Sequence, residues 1–323
     1  MDGRRRIILK SHEKAAKIIG EVEKVILGKD ECVEKVMAAI LAGGHVLIED
    51  IPGVGKTSMA LAFARAMGIR QNRVQFTPDV LPTDIVGFSM YRKELDRFEY
   101  QDGAVMCNLF LADEINRTSP KTQSALLEVM EEETVTVDGI TREVPKPFHV
   151  IATENPIGSI GTQMLPESQL DRFIICILIG YPNKEEEIKM LLSRDNANPM
   201  NHIKSVINGD ELIAMQKQVD DIFIHEKVYE YIVDLVNETR NHEMIELGIS
   251  PRGSLALAKM SKAMAYLNGR DYVVPTDVSD VFGDVVYHRL LLSSKGKLNN
   301  MTIEDVTKDV LNRVKKPAPQ YRK

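Results

Sequence analysis

Tryptophan is missing from this chain of 323 residues, aromatic residues make up only 6 %, and there are three cysteines. Cys32, Cys107 and Cys176 lie far apart and form no CxxC pair, which speaks against a disulfide framework and a thiolate zinc site. The seven histidines form no HxH or HxxxH pair, so no dedicated transition-metal centre is expected. The longest uncharged apolar run near a strand, residues 173–181, falls far short of the ~18 residues a bilayer span needs. Arg4-Arg5-Arg6 precede only three apolar residues before Lys10, too few for a signal-peptide core. Positive charge is in deficit as well: 41 Lys+Arg against 47 Asp+Glu leave −6, a poor balance for coating nucleic acid. A soluble, cytoplasmic protein without membrane insertion is the expectation.

What is present is average for a globular chain, with 44 % hydrophobic and 27 % charged residues and enough length for roughly two domains. Short, continuously apolar runs at 45–49 (HVLIE), 107–112 (CNLFLA), 148–153 (FHVIAT) and 173–180 (FIICILIG) alternate with helical stretches. Buried strands of a parallel sheet look like this, and 73–77 (RVQFT) reads as a fifth. Beyond Pro182-Asn183 the chain reads as helices. Ser250-Pro251 open one that Gly269 closes, with Leu257, Met260, Met264 and Leu267 on one face. Val228, Ile232, Leu235 and Val236 mark a second, and Thr276 is expected to cap a third carrying Val278, Phe282 and Val285. The expected architecture is an α/β domain over residues 1–190 and an all-α domain over 191–323.

Two insertions interrupt the α/β pattern. Residues 134–144 alternate on both sides of Asp138-Gly139, a β-hairpin signal. Residues 79–105 make an extra loop with Pro82, Gly87, Gly103 and the aromatics Phe88, Tyr91, Phe98 and Tyr100.

The sharpest signal follows the first strand, at Asp50-Ile51-Pro52-Gly53-Val54-Gly55-Lys56-Thr57. A strand, a glycine-rich turn and a helix form a P-loop, whose backbone N–H groups and helix dipole cradle phosphates. Lys56 supplies a charge for the β and γ phosphates, and the Thr57 hydroxyl suits Mg2+. Asp50 stands where the consensus has glycine. A second strand ends in Asp113-Glu114: the first acid fits a metal-bound water, and the second can orient and deprotonate an attacking water. Asn155, at the end of a neighbouring strand, reads either as a γ-phosphate ligand or as a plain turn before Pro156. Arg252 sits in a helix first turn, where a cation opposes the dipole, which makes sense if it faces phosphate. Arg172 is either an arginine finger or a salt-bridge partner of Asp171.

These residues together resemble the MoxR-type AAA+ ATPases. The likeness runs through residues 46–57, 112–132 (ADEINRTSPKTQSALLEVMEE), 152–156 (ATENP), 165–173 (LPESQLDRF), 250–254 (SPRGS) and 268–277, in family order. It implies a P-loop AAA+ parallel-sheet core with a helix-2 insert at 79–105 and a pre-sensor β-hairpin at 134–144, followed by a helical lid. It also implies ring-shaped hexamers and ATP and Mg2+ as ligands. Gly53, Val54, Gly55, Lys56, Thr57 and Ser58 would then hold phosphate, Thr57 and Asp113 the metal, and Gly28 the adenine. Asn155 would be sensor 1, Arg252 sensor 2 and Arg172 the finger offered to the neighbouring subunit, with Arg117 a second residue for that reach. The family often carries Gln where this chain has Glu154, whose side chain is expected to turn away from phosphate. Chaperone-like work on a protein client is implied, often with a partner bearing a von Willebrand factor A domain on another chain. A nucleotide-gated assembly with slow hydrolysis and a DNA-remodelling ring are the competing readings. The acids Glu94, Asp96 and Glu99 among Arg92, Lys93 and Arg97 weigh against the latter.

Overall fold

The computed structural model describes residues 2–50, 55–155, 165–194 and 199–318. Two helices that the sequence reading did not anticipate open the chain, α1 (Asp2–Glu23) and α2 (Asp30–Leu41). All five expected strands form: β1 (Val46–Glu49), then α3 (Lys56–Ala66), and β2 (Gln71–Gln75). After α4 (Pro82–Val86), β3 (Gly87–Arg92) and β4 (Arg97–Asp102) comes β5 (Leu109–Asp113), followed by α5 (Pro120–Glu132). Strands β6 (Thr134–Val137) and β7 (Ile140–Glu143) lead into β8 (His149–Glu154), and α6 (Glu167–Leu170) precedes β9 (Ile175–Ile177).

The main sheet runs β2-β5-β8-β1-β9, with every neighbouring pair parallel. Period-2 alternation sends successive residues of one strand to opposite faces. Val46 and Ile48, with Leu109, Leu111, Ile151 and Ile175, pack with α1, α2 and α3. Leu47, Phe110, Ala112, Val150 and Cys176 face the other way, with Leu126 and Leu127 of α5. Each buried Val, Leu, Ile or Phe among them contributes about 1.5–3 kcal/mol. The parallel order places every strand's carboxyl end on one edge, which carries Glu49, Asp113 and Glu154 together.

At 134–144 the expected hairpin is present, with Val135 facing Arg142 across Asp138-Gly139. The stretch 79–105 is more ordered than the loop expected from its composition. It folds as α4 and an antiparallel hairpin of β3 and β4, in which Tyr91 and Phe98 pair edge-to-face with ring centroids 5.5 Å apart. The aromatics Phe88, Tyr91, Phe98 and Tyr100 all belong to this hairpin.

After α7 (Lys184–Arg194) come α8 (Gly209–Asp220), α9 (Glu226–Asn241), β10 (Ile245–Leu247), α10 (Pro251–Leu267) and α11 (Pro275–Val286). The chain continues through β11 (Leu291–Leu292), α12 (Ser294–Leu298) and α13 (Ile303–Arg313). The Ser250 hydroxyl accepts the Gly253 N–H as the α10 cap, a bond worth about 1 kcal/mol. All the apolar positions expected on α9, α10 and α11 are buried. Two expectations need correction. The cap of α11 is Val274 rather than Thr276, because Pro275 starts the helix and Asp277 reaches back to accept the Val274 N–H at 2.8 Å. The helical region also holds a short antiparallel pair, β10 with β11, too small for a periodic signal. Among the described residues no helix is long and apolar enough to cross a membrane.

Candidate nucleotide site

Helix α3 starts at the sheet's carboxyl edge, with Gly55 before it at φ 96, a conformation that penalises any side chain. Gly53 and Val54 of the expected cradle lie outside the described residues. Lys56 is buried; its Nζ donates to the Asp50 carbonyl, to Glu154 O at 3.2 Å and to Asn155 Oδ1 at 3.4 Å. Burial lowers its pKa, while Asp50, Asp113, Glu114 and Glu154 oppose that and favour the charged form. Ser58 follows on the same helix, half-buried. Asp50 explains its departure from the consensus: its Oδ2 accepts the Gly180 N–H at 2.5 Å, stapling the start of the loop to the segment after β9.

Asp113 closes β5 and is held from three sides. Its Oδ1 accepts Thr153 Oγ1 at 2.6 Å, and its Oδ2 accepts Thr57 Oγ1 at 3.2 Å and Arg73 NH2 at 2.8 Å. Thr153 and Arg73 were not singled out from the sequence. Both sit on strands flanking β5, and Arg73 lies two residues before Gln75, which is in register with Asp113. The hydroxyl of Thr57 with the Asp113 carboxylate is a hard oxygen set suited to Mg2+, which keeps waters and phosphates as its other ligands. Among the described residues no group of three or more His, Cys, Asp and Glu could hold a metal by itself.

Glu114 adopts the left-handed conformation (φ 57), which lets its N–H donate to Thr153 Oγ1 at 2.9 Å. Its carboxylate accepts Asn155 Nδ2 at 2.9 Å and Arg117 NH1 at 2.8 Å. Burial would raise its pKa, but the bonds from Arg117 and Asn155 outweigh this and hold it below the usual range. Asn155 therefore bridges Lys56 and Glu114. Arg117, expected to reach across an interface, lies on Glu114 of its own chain.

The two other arginines converge elsewhere. Arg172 does not pair with Asp171; it donates to the Leu127 carbonyl and lies 3.7 Å from Glu131 Oε2. Arg252, from the first turn of α10, lies 2.5 Å from Glu131 Oε1. Glu131, in the last turn of α5, had no sequence signal. Gly28 (φ 71) stands beside α7, so close that a Cβ would come within 2.3 Å of the Glu186 side chain.

Glu154 lies in register with Glu49 of β1, and its carboxyl feels the charges of both Glu49 and Lys56. Burial raises its pKa to about 7, and the Glu49 charge adds to this; Glu49 is raised too, by burial and by Asp50. The folded chain then holds a proton between about pH 4.5 and 7 that the unfolded chain releases, so this carboxyl's contribution falls as pH rises through that window. Glu154→Gln should therefore stabilise the protein, and the gain should grow by about 1 kcal/mol between pH 6 and pH 8. Melting curves of both proteins at the two pH values check this; an equal gap at both would refute it.

A parallel sheet with a lysine-bearing loop after one strand, paired acids ending the next but one and a helical domain behind is the arrangement of a AAA+ ATPase. Residues 45–175 match the ATPase family associated with various cellular activities (AAA), and residues 237–310 match the AAA lid domain. The Chaperone MoxR1 of Mycobacterium tuberculosis is 40% identical over 93% of this chain and 81% of its own length. The protein YeaC of Bacillus subtilis is 44% identical over 95% of this chain and 96% of its own. A crystal structure of a candidate ATPase from Cytophaga hutchinsonii superposes with a TM-score of 0.89 at 33% identity, covering 96% of this chain and 97% of that one. The chain belongs to the MoxR family of AAA+ ATPases. It binds nucleotide and hydrolyses ATP.

Proposed function

We propose that this ATPase works in the cytoplasm as a Mg2+-dependent ring, a hexamer, that spends ATP on remodelling or maturing a partner protein. Lys56 holds the β and γ phosphates in the cradle of Gly53, Val54, Gly55 and Ser58, with adenine against Gly28. Thr57 and Asp113 hold Mg2+, which supplies charge neutralisation at the phosphates when bound. Glu114 accepts the proton of the attacking water, oriented by Asn155 as sensor 1. Arg252 acts as sensor 2, and Arg172 serves the neighbouring subunit's site. The division into a core over 1–190 and a lid over 191–323 belongs to the same reading.

The observation that carries it is one unbroken hydrogen-bonded run, Thr57–Asp113–Thr153–Glu114–Asn155–Lys56, joining the phosphate-binding cation to the metal-type oxygens and the base. A protein client is favoured over DNA by the β3–β4 hairpin. There Arg92 and Arg97 both lie on Glu99, at 3.2 and 3.0 Å, while Phe88, Tyr91 and Phe98 are exposed. The chaperone name of the mycobacterial relative supports the same choice, and a von Willebrand factor A domain protein is the partner we would try first.

Phosphate release and molecular size, measured with ATP, ADP and no nucleotide, test this together. Release should stop on chelating Mg2+, and ATP should shift the protein to a ring-sized species. Release that ignores chelation would sink the metal assignment; rings without turnover would favour a nucleotide-gated assembly.

A further inference from the structure

The segment that carries Arg172 is tied to the lid through Asp171. Its Oδ1 accepts Arg289 Nε at 2.7 Å and its Oδ2 accepts Ser250 Oγ at 2.8 Å. Ser250 caps α10, the helix bearing Arg252, and Arg289 follows the end of α11. Arg289 is 7% exposed, and every guanidinium nitrogen is used. NH2 donates to Phe173 O at 2.6 Å and Asp171 O at 3.2 Å, and NH1 donates to Ile174 O at 3.2 Å and to the Val285 carbonyl. His288 Nε2 shares the Phe173 carbonyl at 3.0 Å. Both lid helices therefore grip residues 171–174.

A buried guanidinium is a poor way to gain stability, because an apolar side chain of similar volume does as well without the desolvation cost. What this one supplies is geometry: it sets the backbone on both sides of Arg172 against the lid. The same lid presents Arg252 to Glu131, the carboxylate that Arg172 also approaches.

We propose that Asp171 and Arg289 are positioning residues that lock Arg172 to its own subunit's lid, so that lid orientation sets the reach of Arg172 toward the neighbour's ATP. This rests on Arg172 serving the neighbouring site. Asp171→Asn keeps the shape and removes the charge. It should lower kcat by about 10- to 100-fold, as a small misplacement of a catalytic group does. ATP affinity should stay within about twofold, and amide exchange should quicken over residues 165–174. Arg289→Lys should behave alike. Added to Arg172→Ala, Asp171→Asn should cost nothing further, since both act through one group. Mixed with Glu114→Gln subunits, Asp171→Asn should regain turnover as Arg172→Ala does.

The proposal is overturned if both variants turn over at the parent rate, if the double variant's losses add, or if Arg172→Ala is rescued by mixing and Asp171→Asn is not. Failure of Arg172→Ala itself to be rescued would instead remove the underlying assignment, and the proposal with it. If neither Asp171→Asn nor Arg289→Lys folds, the pair is a stability element and the proposal falls.

Discussion

Glu114→Gln is expected to cut steady-state phosphate release by about 10²- to 10⁴-fold while ATP stays bound, the range a positioned general base supplies. The carboxylate is ionised at neutral pH, because Asn155 and Arg117 offset the effect of burial. An amide at the same place keeps the volume but cannot take a proton from water. Binding should survive because Lys56, assigned to phosphate, is bonded to Asn155, the Asp50 carbonyl and the Glu154 carbonyl rather than to the Glu114 side chain. Asp113 keeps Thr57, Thr153 and Arg73 as partners. A fluorescent ATP analogue measures affinity, and phosphate release measures turnover. Turnover within tenfold of the parent would mean that another group activates the water. The variant also serves as a trap: if ATP drives client engagement, Glu114→Gln with ATP should retain a partner that the parent protein sheds.

The parts of this site that lie along the chain were readable from it, and those assembled across the sheet were not. Lys56, Thr57, Asp113 and Glu114 announce themselves through a strand, a turn and a helix in immediate succession. Four of the five sheet strands were equally legible, since continuous apolar runs mark burial on both faces; β2, at the edge of the sheet, is mostly polar and only partly buried. Arg73 and Thr153 have no such context. Their positions matter only once β2, β5 and β8 lie in parallel register, which places both beside Asp113. Glu131 and Arg289 are more remote still, brought to Arg172 by α5 and by the return of α11 onto the segment before β9. The hairpin of β3 and β4 escaped for a different reason: with both faces partly in water, its alternation carries no strong apolar period. In the sequence Asp50 is only a departure from a consensus, and its bond to Gly180 gives it a structural use.

Arg172→Ala is expected to lower turnover by about 10³-fold or more, the range of an arginine that stabilises charge on a transferring phosphoryl group. The charges around it favour that use over a structural one. Arg172, Arg252 and Arg289 meet Glu131 and Asp171, which is 3 − 2 = +1, with Arg289 buried and Arg172, Arg252 and Glu131 partly exposed. A guanidinium sharing its carboxylate with a second guanidinium is held loosely, and an incoming phosphate would offer it a better partner. The decisive measurement is mixing. An Arg172→Ala subunit still has its own Glu114, and a Glu114→Gln subunit still has its own Arg172, so a site between the two is complete if the arginine acts across the interface. In a heterologous ring at equal ratio, about a quarter of the interfaces should be complete, so turnover should return to a sizeable fraction of the parent value although both components alone are inactive. Melting temperature should hardly change, because among the described residues the Arg172 side chain gives up a partly exposed contact with Glu131 and one bond to the Leu127 carbonyl. Absence of any recovery across the mixing series, with rings still forming, would place Arg172 in its own subunit's site or in the fold alone.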